Sequence, residues 1–306
     1  MQQYFKRRLL TLIPVIFGVV TAVFFIIHLI PGDPVVLMLG ENTQPGDIEA
    51  LRLRLGLDRP LLEQYYHFWL NLLQGNLGES IYHRQPVIGL VLERLPNTIL
   101  LAVAALLVSL IIAFPLGIFS ALKQRKWIDY FSLGFSILGI SMPVFWLGPL
   151  LIIVFAVQLH WLPVAGMGSW KHIVMPAFTL GFGLAAITTR MIRASMIEVM
   201  NQDYIRTAFA KGLNKARVIR VHALKNVMIP VITIVGLQLG ALFGGTIITE
   251  VVFSYPGVGR LLILGILRRD YPLVQGAILM IAFSYIIINW ITDIVYSEVD
   301  PRIRLK

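Results

Sequence analysis

Residues 190–226 read RMIRASMIEVMNQDYIRTAFAKGLNKARVIRVHALKN, the longest polar stretch lying between strongly apolar segments. Eight of these residues are Lys or Arg and two are acidic, a composition unsuited to crossing a bilayer. Basic loops are retained on the cytoplasmic side of a membrane, which is where this one is expected. Inside it, the residues from Tyr204 to Lys211 form a helical core followed by Gly212, a good position for a helix stop. A short helix held between two spanning helices is suited to meeting a soluble partner.

The composition agrees with that setting. The chain has 306 residues, 57% hydrophobic and 14% charged. A soluble globular domain carries about 25% charged residues, so this is an integral membrane protein. The net charge of +10 does not call for nucleic acid, because the basic residues sit mostly in short segments flanking apolar runs. There is no cysteine, which removes disulfides, thiolate catalysis and cysteine metal ligands. Lys6, Arg7 and Arg8 precede an apolar run that continues to about residue 30. No small-x-small cleavage site follows closely, and a retained first span is expected.

Working outward from the central stretch, the apolar runs predict six spans, at about 9–30, 98–122, 130–158, 173–188, 227–253 and 273–295. The inside segments would then be 1–8, 123–129, 190–226 and 297–306, all basic-rich, with both termini cytoplasmic. His28, near the far end of the first span, reads as an interfacial residue. Pro115 is expected to bend the second span, and Pro143 and Pro149 to interrupt the third. Ala105, Ser109, Ala113 and Gly117 recur every four residues, as do Gly236, Gly240 and Gly244. Such stripes let another helix backbone come close.

Two regions are expected outside. Residues 31–97 carry helical patterns over 48–55, ended by Gly56, and over 61–73, with Tyr65, Tyr66, Phe68 and Trp69. These aromatics suit either a lid over the helix bundle or a surface for another external protein. Residues 254–272 read SYPGVGRLLILGILRRDYP, where the apolar run 261–267 is too short to span. Re-entrant backbone is tolerated only against protein or a water-filled cavity. Glu250, Pro256, Gly257, Gly259, Arg268, Arg269 and Asp270 are therefore candidates for an external gate or pathway. Glu250, near the outer end of the fifth span, is either functional or simply reaches water. The resulting divisions are 1–30, 31–97, 98–296 and 297–306.

Several chemistries are missing. The chain has no HExxH, no GxSxG and no GxxxxGK[ST]. It cannot hold ATP by a P-loop, so any ATP hydrolysis must belong to another subunit. The six histidines are scattered with no pair at i,i+4, which disfavours a histidine metal site. Few carboxylates lie within the apolar runs, and no internal repeat is convincing, which weakens a self-sufficient secondary transporter.

In the central stretch Asp203 is a plausible N-cap, and Ile205, Ala208 and Phe209 can share one face. Arg206 and Lys211 lie elsewhere for polar contact. Asn214 can cap a second short helix over 215–224. Two helical turns are too short to be stable alone, so they need a partner surface or their own flanks. The alternative is a pair of helices lying on anionic lipid.

At these residues the chain resembles the integral-membrane permease subunits of ATP-binding-cassette importers, in the peptide and nickel branch. The resemblance spans essentially the whole chain. It is carried by Arg7-Arg8-Leu9-Leu10 with Ile13-Pro14, Pro31-Gly32-Asp33-Pro34, Leu55-Gly56-Leu57-Asp58, Gly75-Asn76-Leu77-Gly78-Glu79-Ser80 and Leu95-Pro96-Asn97-Thr98. Its most specific block is Asp203-Tyr204-Ile205-Arg206-Thr207-Ala208 through Ala210-Lys211-Gly212, then His222-Ala223-Leu224-Lys225-Asn226 and Pro230. Phe253, Pro256-Gly257-Val258-Gly259, Arg269-Asp270-Tyr271-Pro272 and Asp300-Pro301 complete it. The general family loop has Glu-Ala-Ala where Arg206-Thr207-Ala208 stands here. His222 and Lys225 replace its isoleucine and proline, departures that the resemblance implies are normal for this branch.

The resemblance implies an all-α, type I importer permease with six transmembrane helices, both termini cytoplasmic and a large external loop between helices 1 and 2. It implies that Asp203, Tyr204, Ile205, Arg206, Thr207, Ala208, Phe209, Ala210, Lys211 and Gly212 form the coupling helix and its stop, docking in a cleft of the ATPase subunit. It implies as partners a second homologous permease, two ATPase subunits that hold ATP and Mg, and an extracytoplasmic binding protein. The setting is the bacterial inner membrane. Dipeptides or short oligopeptides are the expected solutes by family frequency, with glutathione or nickel complexes as the alternatives.

Overall fold

The computed structural model describes residues 2–29, 34–39 and 44–299. The family-like residues 31–33, 300 and 301, and the basic tail that follows them, lie outside the described residues. All regular structure described is helical. In chain order the helices are α1 (Gln2–His28), α2 (Pro34–Leu39), α3 (Pro45–Leu55), α4 (Leu61–Leu73), α5 (Val87–Leu122), α6 (Trp127–Ser141) and α7 (Val144–Leu151). There follow α8 (Lys171–Met200), α9 (Asp203–Ala210), α10 (Lys215–Arg217), α11 (Leu224–Val252), α12 (Val258–Leu267) and α13 (Tyr271–Val299). Wider π-turns extend α7 over Ile152–Gln158 and join α10 to α11 over Val218–Ala223.

Four stretches among the described residues are long and apolar enough to cross a bilayer: Val87–Leu122, Lys171–Met200, Lys215–Leu242 and Tyr271–Ile294. A fifth is the pair Trp127–Ser141 and Val144–Gln158, if its halves count as one span, since they bend by 105°. The apolar part of α1, Leu10–Ile26, is shorter.

The chain divides into two compact units. One is Met1–Thr98 with Pro256–Ile286, the other Ile99–Tyr255 with Ile287–Lys306. In the first, Val20 and Val23 of α1 and Leu279 of α13 are buried against Phe68, Trp69 and Leu72 of α4. The aromatic row of α4 lies along α1: Phe17 stacks on Trp69 at 5.7 Å and Tyr65 meets Phe24 edge-on at 5.1 Å. Thr21 Oγ1 and Tyr65 Oη are hydrogen-bonded at 2.7 Å. A side chain at Gly276 would fall on Val87, so α13 and the start of α5 touch backbone to side chain.

In the second unit α8 is the central helix. The Ala105 and Gly117 positions of α5 face it closely: a Cβ at Gly117 would stand 2.7 Å from Ile192, and one at Gly181 would stand 2.6 Å from the Ala105 carbonyl. Ala105, Ser109 and Ala113 are fully buried on that face. On α11, Gly236 and Gly240 are buried, but Gly244 is exposed with open space around it. Gln238 of α11 donates from Nε2 to Thr188 Oγ1 at 3.1 Å and to the Leu184 carbonyl at 3.2 Å, a buried polar tie to α8.

Three expectations are corrected. Pro143 breaks the third span, because Met142 before it is forced into extended backbone (ψ 113°), but Pro149 sits inside α7 without ending it. The span expected to end near residue 188 runs on to Met200. Its extension is held by apolar burial: Ile192 and Met196, one turn apart, are fully buried beside Ile205 and Val227. The basic residues beyond the expected boundary therefore ride on a buried helix. Likewise residues 215–252 run as one helical stretch through the π-turn, so the true connection shrinks to 201–214.

Candidate functional site

That connection is built around α9. Gln202, not Asp203, occupies the N-cap position, in extended backbone and with no side-chain cap. Asp203 falls in the first turn, where its charge is favourable at a helix N-terminus. The sequence pattern missed this because Asp203 fits either role. Arg206 reaches back to Asp203 at 3.4 Å, an exposed pair of little energetic weight.

The end of α9 is a Schellman motif. Gly212 N donates to the Phe209 carbonyl at 2.9 Å and Leu213 N to the Ala208 carbonyl at 3.4 Å. Gly212 has φ +78°, the left-handed conformation that an L-residue adopts at a cost. A Cβ there would meet nothing, so the demand for glycine comes from the backbone alone. Asn214 Oδ1 then accepts from Arg217 N at 2.8 Å and caps the next helix as its position predicts.

Burial divides α9 into two faces. Ile205 is fully buried and Ala208 nearly so, in one apolar cluster with Ala113 and Ala121 of α5, Ile192 and Met196 of α8, and Val227 and Val231 of α11. The exposed residues are Asp203, Arg206, Thr207, Ala210 and Lys211, with Tyr204 and Phe209, about two-fifths exposed, at the edges of the buried face. Phe209, one turn after Ile205, borders the face of Ile205 and Ala208 but stays two-fifths exposed. Asn226 Nδ2 donates to Tyr204 Oη at 2.7 Å, tying α9 to the start of α11. The helix is seated on the bundle by its apolar side and offers an aromatic and basic side outward.

The candidates at the other loop behave differently. Asp270 is 1% exposed. It accepts from Ser80 Oγ at 2.5 Å, Tyr82 N at 3.1 Å and Leu273 N at 3.3 Å, so it caps α13 and holds the 79–86 turn. Arg268 lies 3.6 Å over the Tyr82 ring. Pro256 O accepts from Asn97 Nδ2 at 2.8 Å, Gly257 is the extended residue before α12, and Gly259 is buried. Arg269 has φ +55°. Glu250 belongs to the other unit and is fully buried at the end of α11, so it does not reach water in this chain.

One functional-looking pair was invisible in the sequence. Asp129 of α6 and Arg193 of α8 are joined by two hydrogen bonds, although 64 residues separate them. Arg193 had counted only as one charge of a basic loop.

Among the described residues no group of three or more His, Cys, Asp or Glu could hold a metal. The chain carries no cofactor-binding motif. Among solved structures the fold resembles chains of transporters. It superimposes on a chain of the inward-facing MetNI methionine ABC transporter with a TM-score of 0.55, at 16% identity, covering 70% of this chain and 97% of that one. A chain of an amino acid ABC transporter gives a TM-score of 0.53, at 15% identity over 70% and 94%. The fold is therefore the all-α, multi-span fold of those transporter chains.

Residues 113–305 match the family described as the binding-protein-dependent transport system inner membrane component, and residues 1–102 match its N-terminal companion. The chain belongs to this family, and it is a multi-pass protein of the bacterial inner membrane and not itself the ATPase. Among its relatives is the glutathione transport system permease protein GsiC of Escherichia coli O6:H1, 43% identical over 306 residues and 100% of both chains. The protein of the same name from Escherichia coli K12 is 42% identical, also over 100% of both. Family membership removes the rival reading as a self-sufficient secondary transporter.

Proposed function

We propose that this chain is one of two permease subunits of an ATP-driven, binding-protein-dependent importer whose solute is glutathione or a closely related short peptide. The observation that carries the solute is the identity of 43% over 306 residues, 100% of both chains, to a glutathione permease. It favours glutathione over the dipeptides and longer oligopeptides that family frequency alone suggests. In this reading α1 is the first of six spans, both termini are cytoplasmic, and residues 31–97 form the large external loop.

The outward face of α9 docks in the ATPase subunit. Asp203, Tyr204, Arg206, Thr207, Phe209, Ala210 and Lys211 form the contact, while Ile205 and Ala208 anchor the helix to its own bundle. Support comes from the division of burial between the two faces and from the glycine-terminated shape. A second homologous permease completes the pathway, two ATPase subunits close on ATP and Mg, and an external binding protein delivers solute. ATP acts by biasing a two-state equilibrium of the bundle, not by touching the solute. Glu250, Pro256, Gly257, Gly259, Arg268, Arg269 and Asp270 remain near the outer ends of their helices in this arrangement. Asp270 and Arg268 serve there to shape the wall, since their side chains are engaged with Ser80 and Tyr82.

The test is uptake by the complete complex in proteoliposomes, with labelled glutathione and a labelled dipeptide offered in parallel. ATP-dependent accumulation of glutathione, resistant to excess dipeptide, is expected. Accumulation of dipeptide alone would return the solute to the peptide class.

A further inference from the structure

The half-span α6 is attached to the bundle in an unusual way. None of its residues belongs to the apolar cluster that seats α9 on α5, α8 and α11. Its buried residues are Asp129, Ser132, Ser136 and Gly139, all small except the first. The hydroxyls of Ser132 and Ser136 are buried without a hydrogen-bond partner. At Gly139 a Cβ would stand 2.6 Å from Ala186, so α6 lies close on α8 along a smooth face. Beside it Phe135 of α6 meets Phe182 of α8 edge-on at 5.0 Å, so along this face the two helices are held by apolar and aromatic packing without hydrogen bonds from the buried serines. At its far end α6 is cut from α7 by the 105° break at Met142 and Pro143.

Polar fastening is concentrated at one point, the first turn of α6. Asp129 is 3% exposed and accepts four hydrogen bonds. Arg193 Nε reaches Oδ1 at 2.7 Å and Arg193 Nη2 reaches Oδ2 at 3.0 Å, a bidentate fork. Ser120 Oγ of α5 donates to Oδ1 at 2.5 Å, and Arg125 N in the intervening turn donates to Oδ2 at 2.9 Å. Arg193 Nε also meets Ser120 Oγ at 3.1 Å. The carboxylate therefore joins the end of α5, the α5–α6 turn, α6 and α8. Arg193 lies next to Ile192 on the part of α8 whose buried face seats α9.

We infer that Asp129 and Arg193 are positioning residues for energy coupling, the joint through which displacement of the α9 platform is delivered to the mobile half-span α6. The inference rests on the reading of α9 as the element that meets the ATPase. A joint of this kind has to be stiff and directional. A buried, two-bond guanidinium–carboxylate fork is both, whereas lysine offers a point charge without the fork. Removing Arg193 leaves the Asp129 carboxylate buried without its counter-charge, held only by Ser120 Oγ and Arg125 N, so the tie between α6 and α8 opens. The break at Pro143 lets α6 respond without dragging α7.

The experiment uses the assembled transporter with its ATPase and binding protein. The chain has no cysteine, so paired substitutions Phe131→Cys on α6 and Trp146→Cys on α7 give the only spin labels on this subunit. Both native side chains are more than half exposed. The α6–α7 distance is measured by pulsed electron spin resonance with and without MgATP, beside ATPase binding and solute uptake. The parent is expected to change its distance on ATP. Asp129→Asn is expected to keep the bound ATPase, lose the distance change and lower uptake about tenfold, within the usual span of coupling between sites. The exchange Asp129→Arg with Arg193→Asp is expected to recover part of both. Should Asp129→Asn not assemble, Arg193→Lys replaces it and is expected to blunt the distance change while retaining abundance.

A distance change in Asp129→Asn or Arg193→Lys equal to the parent's overturns the inference while leaving α9 as the docking element. Loss of abundance in both, without recovery in the charge exchange, makes the pair a folding contact and overturns it as well. A parent complex whose α6–α7 distance ignores ATP, or whose ATPase is retained regardless of α9, overturns the reading of α9 and the inference with it.

Discussion

The helices α9 and α12 are both short, and both follow a turn at the end of a long helix. They even stop in the same way. In α9 the backbone N–H groups of Gly212 and Leu213 satisfy the last carbonyls, and in α12 Arg269 N and Asp270 N do so, at 3.1 and 2.9 Å. The left-handed residue is glycine in one and arginine in the other, with φ +78° and +55°. Burial separates them further. Half of the ten residues of α12 are buried, against two of the eight in α9. The charged residue beside each helix follows suit: Asp203 is exposed, while Asp270 is enclosed by three hydrogen-bond donors. The α9 helix keeps its polar groups at the surface, as the proposed docking requires, whereas α12 engages the carboxylate beside it in internal bonds.

The largest expected effect breaks that contrast at its charged residues. Asp270→Ala leaves Ser80 Oγ and the Tyr82 N–H without their acceptor and removes the α13 cap. Unmet buried donors cost on the order of 1–3 kcal/mol each, so a loss of about 3 kcal/mol is expected. Asp203→Ala removes an exposed pair and one exposed charge at the α9 N-terminus, together worth at most about 1 kcal/mol. Thermal unfolding of the purified subunit, read alongside its abundance in membranes, checks both. Equal losses in the two variants would mean that the burial contrast does not govern stability.

The next effect concerns the shared helix stop. Gly212→Ala forces a Cβ into left-handed backbone, a cost of about 1–2 kcal/mol. Gly212→Trp should add little more to the unfolding of the isolated subunit, because nothing lies within 4 Å of the position. Uptake should separate them. If α9 enters a cleft of the ATPase, the tryptophan variant loses transport far beyond the alanine variant at equal abundance. Equal uptake by the two would sink the docking assignment.

These helices also mark what a sequence can disclose. The stop at Gly212 and the cap at Asn214 were readable because both are local rules of backbone geometry. The stop at Arg269 was marked only by its charge, since arginine carries no left-handed signature. The far end of α8 was misjudged for a different reason. Counting charge over residues 190–226 averages around the helix, whereas burial follows one stripe, and Ile192 and Met196 continue that stripe past Arg190 and Arg193. The Asp129–Arg193 pair lies beyond any local pattern, because only the packing of α6 on α8 brings the two together. Two prolines in the third span looked alike, yet only Pro143 ends a helix. The small-residue stripes were visible as periodicity, but which members meet a neighbour was not: Gly117 is pressed against Ile192 while Gly244 stands open.

The smallest effect on the fold is expected from the outer face of α9, and it sharpens the comparison most. The Arg206 side chain is 75% exposed and has only Asp203 to meet, also exposed. Lys211 stands exposed one residue before the glycine stop. Reversing both, Arg206→Glu with Lys211→Glu, should leave unfolding of the isolated subunit unchanged, because solvent-exposed pairs carry little stability. In the complex these charges would lie at an interface, where like-charge placement slows association and weakens retention. Co-purification of the ATPase should fall, and more steeply at low salt, where screening is weakest. A reversed chain that holds its ATPase as firmly as the parent at every salt concentration would move the contact to Tyr204 and Phe209 alone. The ionic strength dependence thus tells a charged contact from an aromatic one on the same two turns of helix.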